Sequence, residues 1–400
     1  MLKSIYLQKE VDLGLQALSK ILNKYLINDS SLSQKSNYPC IKNSSAIDSY
    51  LFGYYNIGNE LKLEQILLRY NKQENVFIKV KSGNTGIIYI PHIGYFKTKQ
   101  LNKELLIQLN KKSPTKSILK HTENNDLIKF DYIPVTKINN TNIEVSQYSD
   151  HYITSQLYEA TKNSQRDIGN PDFEKNISKY MNYINKALPI IKQVDKEQYE
   201  EISKTCQKLV LFKAKEIIAF TSIDLHGVIF IRPRSTDNEV YFIDHFIHEC
   251  SHIALNCALL NLEDYFAIDP FKTQFKSPFR VGEKRGVYHT FHACYVLSKL
   301  INFYDKWMAK KVEQKFYFDV LGRLLLAVYR LEEGLSFISS ASSYTEKGLK
   351  VYKQLEQILH KAKKNHKQLI QKYVVKNQPI EFNLKMFLKT NKKIIQKGTS

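Results

Sequence analysis

Two histidines and a glutamate form the pattern in this sequence that most clearly predicts chemistry. His248, Glu249 and His252 occur in the order His-Glu-x-x-His. Side chains four residues apart lie on the same face of an α-helix, so both imidazoles can bind one metal ion. Glu249 lies at the edge of that face, where it can act as a base or hydrogen-bond a ligand. The pattern therefore predicts a divalent metal centre with Glu249 as its catalytic residue.

The sequence around the motif favours this prediction. Six of the 11 histidines and four of the eight arginines fall between residues 226 and 292. In the alternative interpretation, His248 and His252 are core histidines whose ring nitrogens bond to backbone carbonyls. The concentration of histidine and arginine side chains favours the metal site. His245 is interpreted as a support for the helix, and Cys250 as a packing residue.

Two histidines do not complete a metal site, because zinc and iron sites use at least a third protein ligand. The segment after Arg285 supplies two candidates at the start of the next predicted helix. His289 is predicted to be the third ligand, and His292, one turn later, is the alternative. The third histidine of metzincins is absent, because Ala258 occupies that position.

The elements that must position these residues are mostly helical. Strand-like runs occur at residues 76–80, 87–90, 127–135, 143–145 and 227–232. Helical spacing of apolar residues dominates the rest of the chain, namely 1–75 apart from a loop at 34–45, 174–218, 240–262, 287–307, 312–333 and 346–375. The predicted fold class is α+β, mainly α-helical, with a small β-sheet next to the helix that carries the motif.

Three regions are predicted along the chain. Residues 1–150 form an N-terminal mixed α/β region without an assigned role. Residues 151–378 form the metal-binding catalytic domain. Residues 379–400 form a basic C-terminal tail, which is expected to be partly disordered.

The charge of the chain does not favour nucleic acid as a partner. The formal net charge is +20, which can indicate nucleic acid, an acidic membrane surface or an acidic substrate. However, only eight of the 59 basic residues are arginine, the side chain that nucleic-acid-binding proteins prefer, and the lysines are scattered. The charge is therefore interpreted as a solvated, lysine-rich surface.

Cysteine and hydropathy patterns predict a cytoplasmic protein. The five cysteines form an odd set without a CxxC pair. No apolar run reaches the length of about eighteen residues that predicts a membrane span. The first ten residues lack the apolar stretch of a signal peptide. A reduced, cytoplasmic location without membrane insertion is expected.

Beyond the motif, residues 205–300 resemble the HEXXH-motif peptide-modification proteins of bacterial ribosomal-peptide gene clusters. The resemblance rests on an ordered set of segments around the motif, namely the strand Ala219–Phe230, the acidic stretch Asp264–Asp269, Ser277-Pro-Phe-Arg280 and Gly286-x-x-His289. This sequence departs from the family pattern after Arg285, where no proline follows. The resemblance does not extend to the N-terminal 150 residues.

The resemblance implies an Fe(II)/2-oxoglutarate-dependent dioxygenase that β-hydroxylates a side chain of a ribosomally made precursor peptide. It implies His248, His252 and His289 as iron ligands. It also implies that Arg280 or Arg285 binds the carboxylate of 2-oxoglutarate, a role that suits the arginine fork. Glu249 would then orient a ligand or a water molecule.

Two other functions remain open. In a zinc metallopeptidase, with Zn(II) in place of iron, Glu249 would be the general base and Glu332 or Glu333 would complete the site. Their helix alternates apolar and charged residues, which favours a solvent-facing role for this pair. In a non-catalytic interaction protein, the histidines would hold a structural metal. Such sites usually contain cysteines, and no cysteine in this chain has that spacing.

Overall fold

The computed structural model describes residues 7–28, 48–162, 172–272, 274–277 and 284–397. Within these ranges the protein is mainly α-helical with small β-sheets, which confirms the predicted α+β class. In chain order, the helices are α1 (Gln8–Asn28), α2 (Ser49–Asn56), α3 (Leu63–Leu67), α4 (His151–Thr161), α5 (Ser178–Val194), α6 (Lys196–Thr205), α7 (Glu239–Ala258), α8 (Val287–Ala309), α9 (Tyr317–Phe337), α10 (Glu346–Asn365), α11 (Lys367–Lys372), α12 (Leu384–Thr390) and α13 (Lys392–Lys397). The strands are β1 (Asn75–Lys81), β2 (Ile87–Ile90), β3 (Gly94–Lys97), β4 (Glu104–Asn110), β5 (Ile118–His121), β6 (Leu127–Ile128), β7 (Asp131–Pro134), β8 (Thr136–Lys137), β9 (Glu144–Val145), β10 (Asp172–Phe173), β11 (Lys208–Lys213), β12 (Ala219–Thr221), β13 (Val228–Ile231), β14 (Gln274–Lys276) and β15 (Lys284–Gly286).

The described residues divide into two compact units, each discontinuous in sequence. The first unit takes its residues from Met1–Gly14, Tyr183–Ile202 and Thr236–Ser400. The second unit takes its residues from Leu15–Asn182 and Ser203–Ser235. These boundaries differ from the predicted limits at residues 150 and 378, and the assignment of catalysis to residues 151–378 stays a prediction. The helix with the motif belongs to the first unit.

Small β-sheets dominate the second unit. An antiparallel sheet has the strand order β1-β4-β5-β6, and another has the order β2-β3-β7. A mixed sheet has the order β12-β13-β11-β9-β8, in which β11 pairs in parallel with both β9 and β13. The predicted strands at residues 76–80, 87–90 and 227–232 are confirmed as β1, β2 and β13.

Strand β11 corrects the prediction of a continuous helical region over residues 174–218. Helices α5 and α6 form as predicted, but Lys208–Lys213 is a strand whose residues are buried up to its last position. Such a short run, buried on both faces, cannot be distinguished from a buried helix by periodicity. Lys208–Lys213 forms a strand because it pairs in parallel with β9 and β13, and neither of these strands is its neighbour in the sequence.

Helices form the core of the first unit, where α8 packs against α7, α9 and α10. Helix α7 begins after Asn238, whose side-chain oxygen accepts hydrogen bonds from the backbone N–H groups of Val240 and Tyr241 at 2.9 and 3.3 Å. Most side chains of α7 are buried. The motif is therefore held on a rigid central helix. Among the described residues, no helix is both long enough and apolar enough to cross a bilayer.

The C-terminal segment packs against α9, in place of the partly disordered tail that its composition predicts. Phe382 and Phe387 are 5% and 0% exposed and join a cluster with Leu321 and Leu325 of α9. These two aromatic side chains bury large apolar areas and help to fix a lysine-rich segment, and Leu384, Ile394 and Ile395 of the same segment also pack against the cluster. Residues 398–400 of the predicted tail, like the loop predicted at 34–45, lie outside the described residues.

A fully buried ion pair joins Lys299 of α8 to Glu201 of α6 within the first unit. Their charged atoms are 2.9 Å apart, and both side chains are 0% exposed. Gln198 donates a hydrogen bond to the other carboxylate oxygen at 3.2 Å. Replacing Lys299 by methionine removes the positive charge that lies 2.9 Å from the buried carboxylate, so we expect Lys299→Met to lower the free energy of unfolding by about 3–5 kcal/mol. Denaturant titration measures this change.

The exposed pair of Lys350 and Glu346 provides the matched control for this measurement. Their side chains are 71% and 85% exposed, so Lys350→Met should scarcely move the unfolding midpoint. The double variant Lys299→Met/Glu201→Leu removes both buried charges and should recover much of the lost stability. If Lys299→Met and Lys350→Met had equal effects, the buried pair would not be a determinant of stability.

Candidate metal centre

His248, Glu249 and His252 lie in the middle of α7, which confirms that the motif is helical. The imidazole rings of His248 and His252 are adjacent, with centroids 4.9 Å apart. Both histidines are half-buried, whereas Glu249 is only 3% exposed. The apolar residues of α7 that the sequence identifies, among them Ile243, Phe246 and Ile247, are fully buried. The helix therefore fixes the backbone positions of both histidines.

A third imidazole, from His292 of α8, adjoins this pair. Its ring centroid is 4.6 Å from that of His252. The Nε2 atom of His292 is buried and has no hydrogen-bond partner among the described residues. The backbone of His252 interacts with the same ring and favours its protonated form, which points to Nδ1, the other ring nitrogen, as the atom that faces this backbone. Metal-binding histidines are commonly held in this way, with one ring nitrogen donating to a carbonyl and the other facing the metal.

His289, the predicted third ligand, has a different environment. Its side chain is exposed, and its ring contacts those of Phe271 and Tyr288 at centroid distances of 5.7 and 5.6 Å. The geometry thus brings His292, the alternative ligand, next to the motif. His289 lies almost one turn earlier on α8.

Gly286 and Tyr288 explain why α8 begins where it does. A Cβ atom at Gly286 would lie 2.7 Å from the carbonyl oxygen of Pro270, so the chain can pass this closely only without a side chain. The backbone N–H of Tyr288 donates to the same carbonyl at 3.1 Å. The Tyr288 hydroxyl donates to the side chain of Asn256 on α7 at 3.3 Å. These contacts fix the first turn of α8 and bring His292 to α7.

The separations of the His252 ring from the rings of His248 and His292 suit ligands of a shared metal ion. Metal–nitrogen bonds of roughly 2.1 Å put imidazole centroids roughly 4.5–5.2 Å apart around a tetrahedral or octahedral ion. The measured separations of 4.9 and 4.6 Å fall within this range. As they are positioned, the described residues contain no group of three or more His, Cys, Asp or Glu side chains that could hold an ion. Binding would therefore require the rings to rotate about their side-chain bonds.

Burial keeps the three imidazoles in the neutral form that binds metals. It lowers the pKa of His292 to about 4. It also lowers the pKa of His248 and of His252, and the adjacent histidines contribute to the lowering at His252. All three rings are therefore neutral around pH 7.

Burial, together with the negative charge of Asp244, raises the pKa of Glu249 to about 8. Without a metal, the carboxyl group is therefore mostly protonated at neutral pH. A cation bound nearby would favour the carboxylate form. A group with a pKa close to neutrality is well suited to transfer protons, which agrees with the predicted catalytic role. That role itself stays a prediction.

A buried polar network beside the motif was not predicted from the sequence. Asp244, one turn before His248, accepts a hydrogen bond from Tyr304 and pairs with Arg323 at 3.1 Å. Arg323 also pairs with Asp319 at 2.9 Å. Burial alone would raise the pKa of Asp244, but Arg323, His245, Tyr304 and His248 together outweigh this effect, and the pKa is lowered. In the sequence, only the four-residue spacing from Asp244 to His248 indicated that Asp244 lies on the same helical face as the motif.

Two arginines lie within electrostatic range of the motif. Burial and the neighbouring histidines are the main causes of the lowered pKa of His252. The positive charge of Arg285 on β15 lowers this pKa further. Burial is the main cause of the lowered pKa of His248. The positive charge of Arg330 of α9, a residue that the sequence did not single out, also lowers it. Arg330 also donates hydrogen bonds to the backbone carbonyls of residues 379 and 380. Arg280, the other predicted anchor, lies outside the described residues.

The carboxylates considered for a thermolysin-like site have other partners. Glu332 pairs with Lys363 at 2.5 Å, and Glu333 accepts a hydrogen bond from the Tyr329 hydroxyl at 2.5 Å. These contacts agree with the solvent-facing interpretation of the pair. The described cysteines, all buried and none in a disulfide, are Cys206, Cys250, Cys257 and Cys294. Cys40 lies outside the described residues.

No protein-family model matches the chain, and no curated protein matches it. The resemblance to the HEXXH-motif peptide-modification proteins therefore rests only on the motif and on the ordered segments around it.

Proposed function

We propose that the protein is a metal-dependent, peptide-modifying enzyme whose ion is bound by His248, His252 and His292. One observation carries this proposal, the buried and unpartnered Nε2 atom of His292 beside the ring of His252. His289 remains the alternative third ligand. The proposed location is the cytoplasm, because the described cysteines are not in disulfides.

The proposed reaction is β-hydroxylation of a side chain in a ribosomally made precursor peptide, with Fe(II) as the metal and 2-oxoglutarate as the cosubstrate. Bound Fe(II) supplies the redox chemistry by which oxygen is activated as 2-oxoglutarate is converted to succinate and carbon dioxide. Arg285 binds a carboxylate of the cosubstrate, since a guanidinium forms paired hydrogen bonds with carboxylates. Arg280 retains the same proposed role. The support for this reaction is the charge of Arg285 close to His252.

A second candidate, a Zn(II) metallopeptidase, is favoured by one specific observation. The pKa of Glu249, about 8, suits a base that takes a proton from an attacking water molecule and returns it to the leaving amine. In this reaction Glu249 is the catalytic residue, and Arg285 has no cosubstrate to bind.

The two candidates differ in what Arg285 does. The test follows succinate production by protein loaded with Fe(II) and supplied with 2-oxoglutarate and candidate peptides. We expect Arg285→Gln to raise the half-saturating concentration of 2-oxoglutarate by about 10- to 100-fold, because a hydrogen-bonded charge partner is lost. Lys284, exposed on the same strand, provides the control variant Lys284→Gln, which should behave like the unchanged protein.

Three results would contradict the proposed oxygenase reaction or the proposed role of Arg285 in it. Peptide cleavage with Zn(II) and no succinate with Fe(II) would establish the metallopeptidase. Tight metal binding without either product would favour a structural metal. Equal 2-oxoglutarate dependence in Arg285→Gln and Lys284→Gln would remove Arg285 from the cosubstrate site.

A further inference from the structure

A large groove lies on the first unit, between α9, α10 and α11. Its volume is about 1230 Å³. Apolar side chains from all three helices form its floor, namely Leu335, Tyr352, Leu359 and Ile370. Leu335 and Tyr352 are buried and Leu359 and Ile370 are half-buried, and a groove of this size between helices is a common place for a ligand to bind.

The rim of the groove is strongly basic. It carries four lysines and a histidine, namely Lys353, Lys363, Lys364, Lys367 and His360. Glu332 neutralises Lys363, but Lys353, Lys364 and Lys367 are exposed and form no ion pair with another described residue. Glu356 is the one acidic residue among those described that line the groove, and its negative charge contributes to the raised pKa of Tyr352 after burial, the main cause. The rim therefore keeps an excess of positive charge over an apolar floor.

The length of the groove fits a helical peptide. Lys353, Gln357, His360 and Lys364 follow one another at steps of three or four residues, so they share one face of α10. From Lys353 to Lys364 this face extends about 16 Å, which is about three turns of a partner helix. A groove between helices with an apolar floor and a polar rim is a recurring site for amphipathic helices.

We propose that this groove docks a peptide segment whose apolar face is flanked by aspartate or glutamate side chains. The floor would bury the apolar face, and the lysines would attract the carboxylates and fix the orientation of the segment. A nucleic acid would match the lysines but would leave the apolar floor without a partner. An anionic membrane presents a broad surface that cannot enter a groove. Assigning the segment to the substrate peptide rests on the proposed function, whereas the binding itself does not.

The test uses a fluorescein-labelled synthetic amphipathic helix of about fourteen residues, built from leucine, alanine and glutamate. A matched probe carries lysine in place of glutamate. Fluorescence anisotropy with the full chain should show saturable binding of the glutamate probe and weaker binding of the lysine probe. We expect Lys364→Glu/Lys367→Glu to weaken binding of the glutamate probe about tenfold or more and to strengthen binding of the lysine probe. Lys385→Glu/Lys389→Glu, on exposed positions of α12, is the charge-matched control.

Two comparisons make the result decisive. His252→Ala removes a proposed metal ligand, and it should bind the glutamate probe as the unchanged protein does, so failure of the metal site and failure of the groove are distinguished. The proposal is overturned if the glutamate probe binds no better than the lysine probe, or if both double variants behave alike. It is also overturned if a DNA oligonucleotide or phosphatidylserine vesicles bind more tightly than the peptide and lose that binding in Lys364→Glu/Lys367→Glu.

Discussion

His292→Ala is expected to abolish metal binding under conditions in which His289→Ala retains it. The ring of His292 lies 4.6 Å from that of His252, and its Nε2 atom has no other partner among the described residues. The ring of His289 is exposed and packs against Phe271 and Tyr288. Loss of outer-shell partners alone costs about 10- to 100-fold in metal affinity, so loss of a ligand should cost on the order of 100-fold or more.

Competition with a chelator of known affinity, together with metal analysis of the purified variants, measures this difference. His248→Ala and His252→Ala should match His292→Ala, because the three rings would share one ion. The fold should persist in these variants, since the apolar face of α7 is unchanged, and circular dichroism checks this. A greater loss in His289→Ala than in His292→Ala would restore His289 as the third ligand. Full metal occupancy in His252→Ala would contradict the assignment of the metal site as a whole.

The choice between His289 and His292 shows what the sequence could not determine about the site. The spacing of the motif predicts its own helical face, because the interaction is local. Which residue of α8 meets that face depends on how α8 is rotated against α7. Tyr288 determines this rotation through its contacts with Pro270 and Asn256, which are distant in sequence. The predicted start of the helix at residue 287 agrees with α8, but it carries no information on how the helix is rotated.

In the fold too, local patterns could be predicted from the sequence, whereas contacts between distant residues could not. The class and most helices followed from apolar periodicity, which is a local signal. Strand β11 did not, because its identity depends on the pairing with β9 and β13. The order of the C-terminal segment depends on apolar side chains, Phe382 and Phe387 among them, that join a cluster with residues of α9. The network of Asp244 with Arg323 and Tyr304 also joins distant residues, so only one of its members had a recognisable spacing.

Glu249→Gln should separate the two candidate reactions. In the peptidase, Glu249 takes a proton from the attacking water, and glutamine cannot, so turnover should fall by on the order of 10²- to 10⁴-fold while metal binding persists. In the oxygenase, the carboxyl group orients a ligand through hydrogen bonds that the amide partly retains. Substantial succinate formation should therefore survive in Glu249→Gln. Parallel assays of succinate with Fe(II) and of peptide cleavage with Zn(II) measure both.

The metal-free protein offers a readout of the same substitution that does not depend on activity. The folded-state pKa of Glu249, about 8, lies above the usual value of 4.5, so the fold favours the protonated form. The stability of the unchanged protein should fall as the pH rises from about 5 through 8, because the buried carboxylate becomes charged. Glutamine stays neutral, so metal-free Glu249→Gln should be more stable at pH 8 by about 2–4 kcal/mol and show little difference at pH 4. Equal stability of the two proteins at pH 8 would mean that Glu249 is not held in an apolar site, and its suitability as a proton carrier would then rest on the bound metal alone.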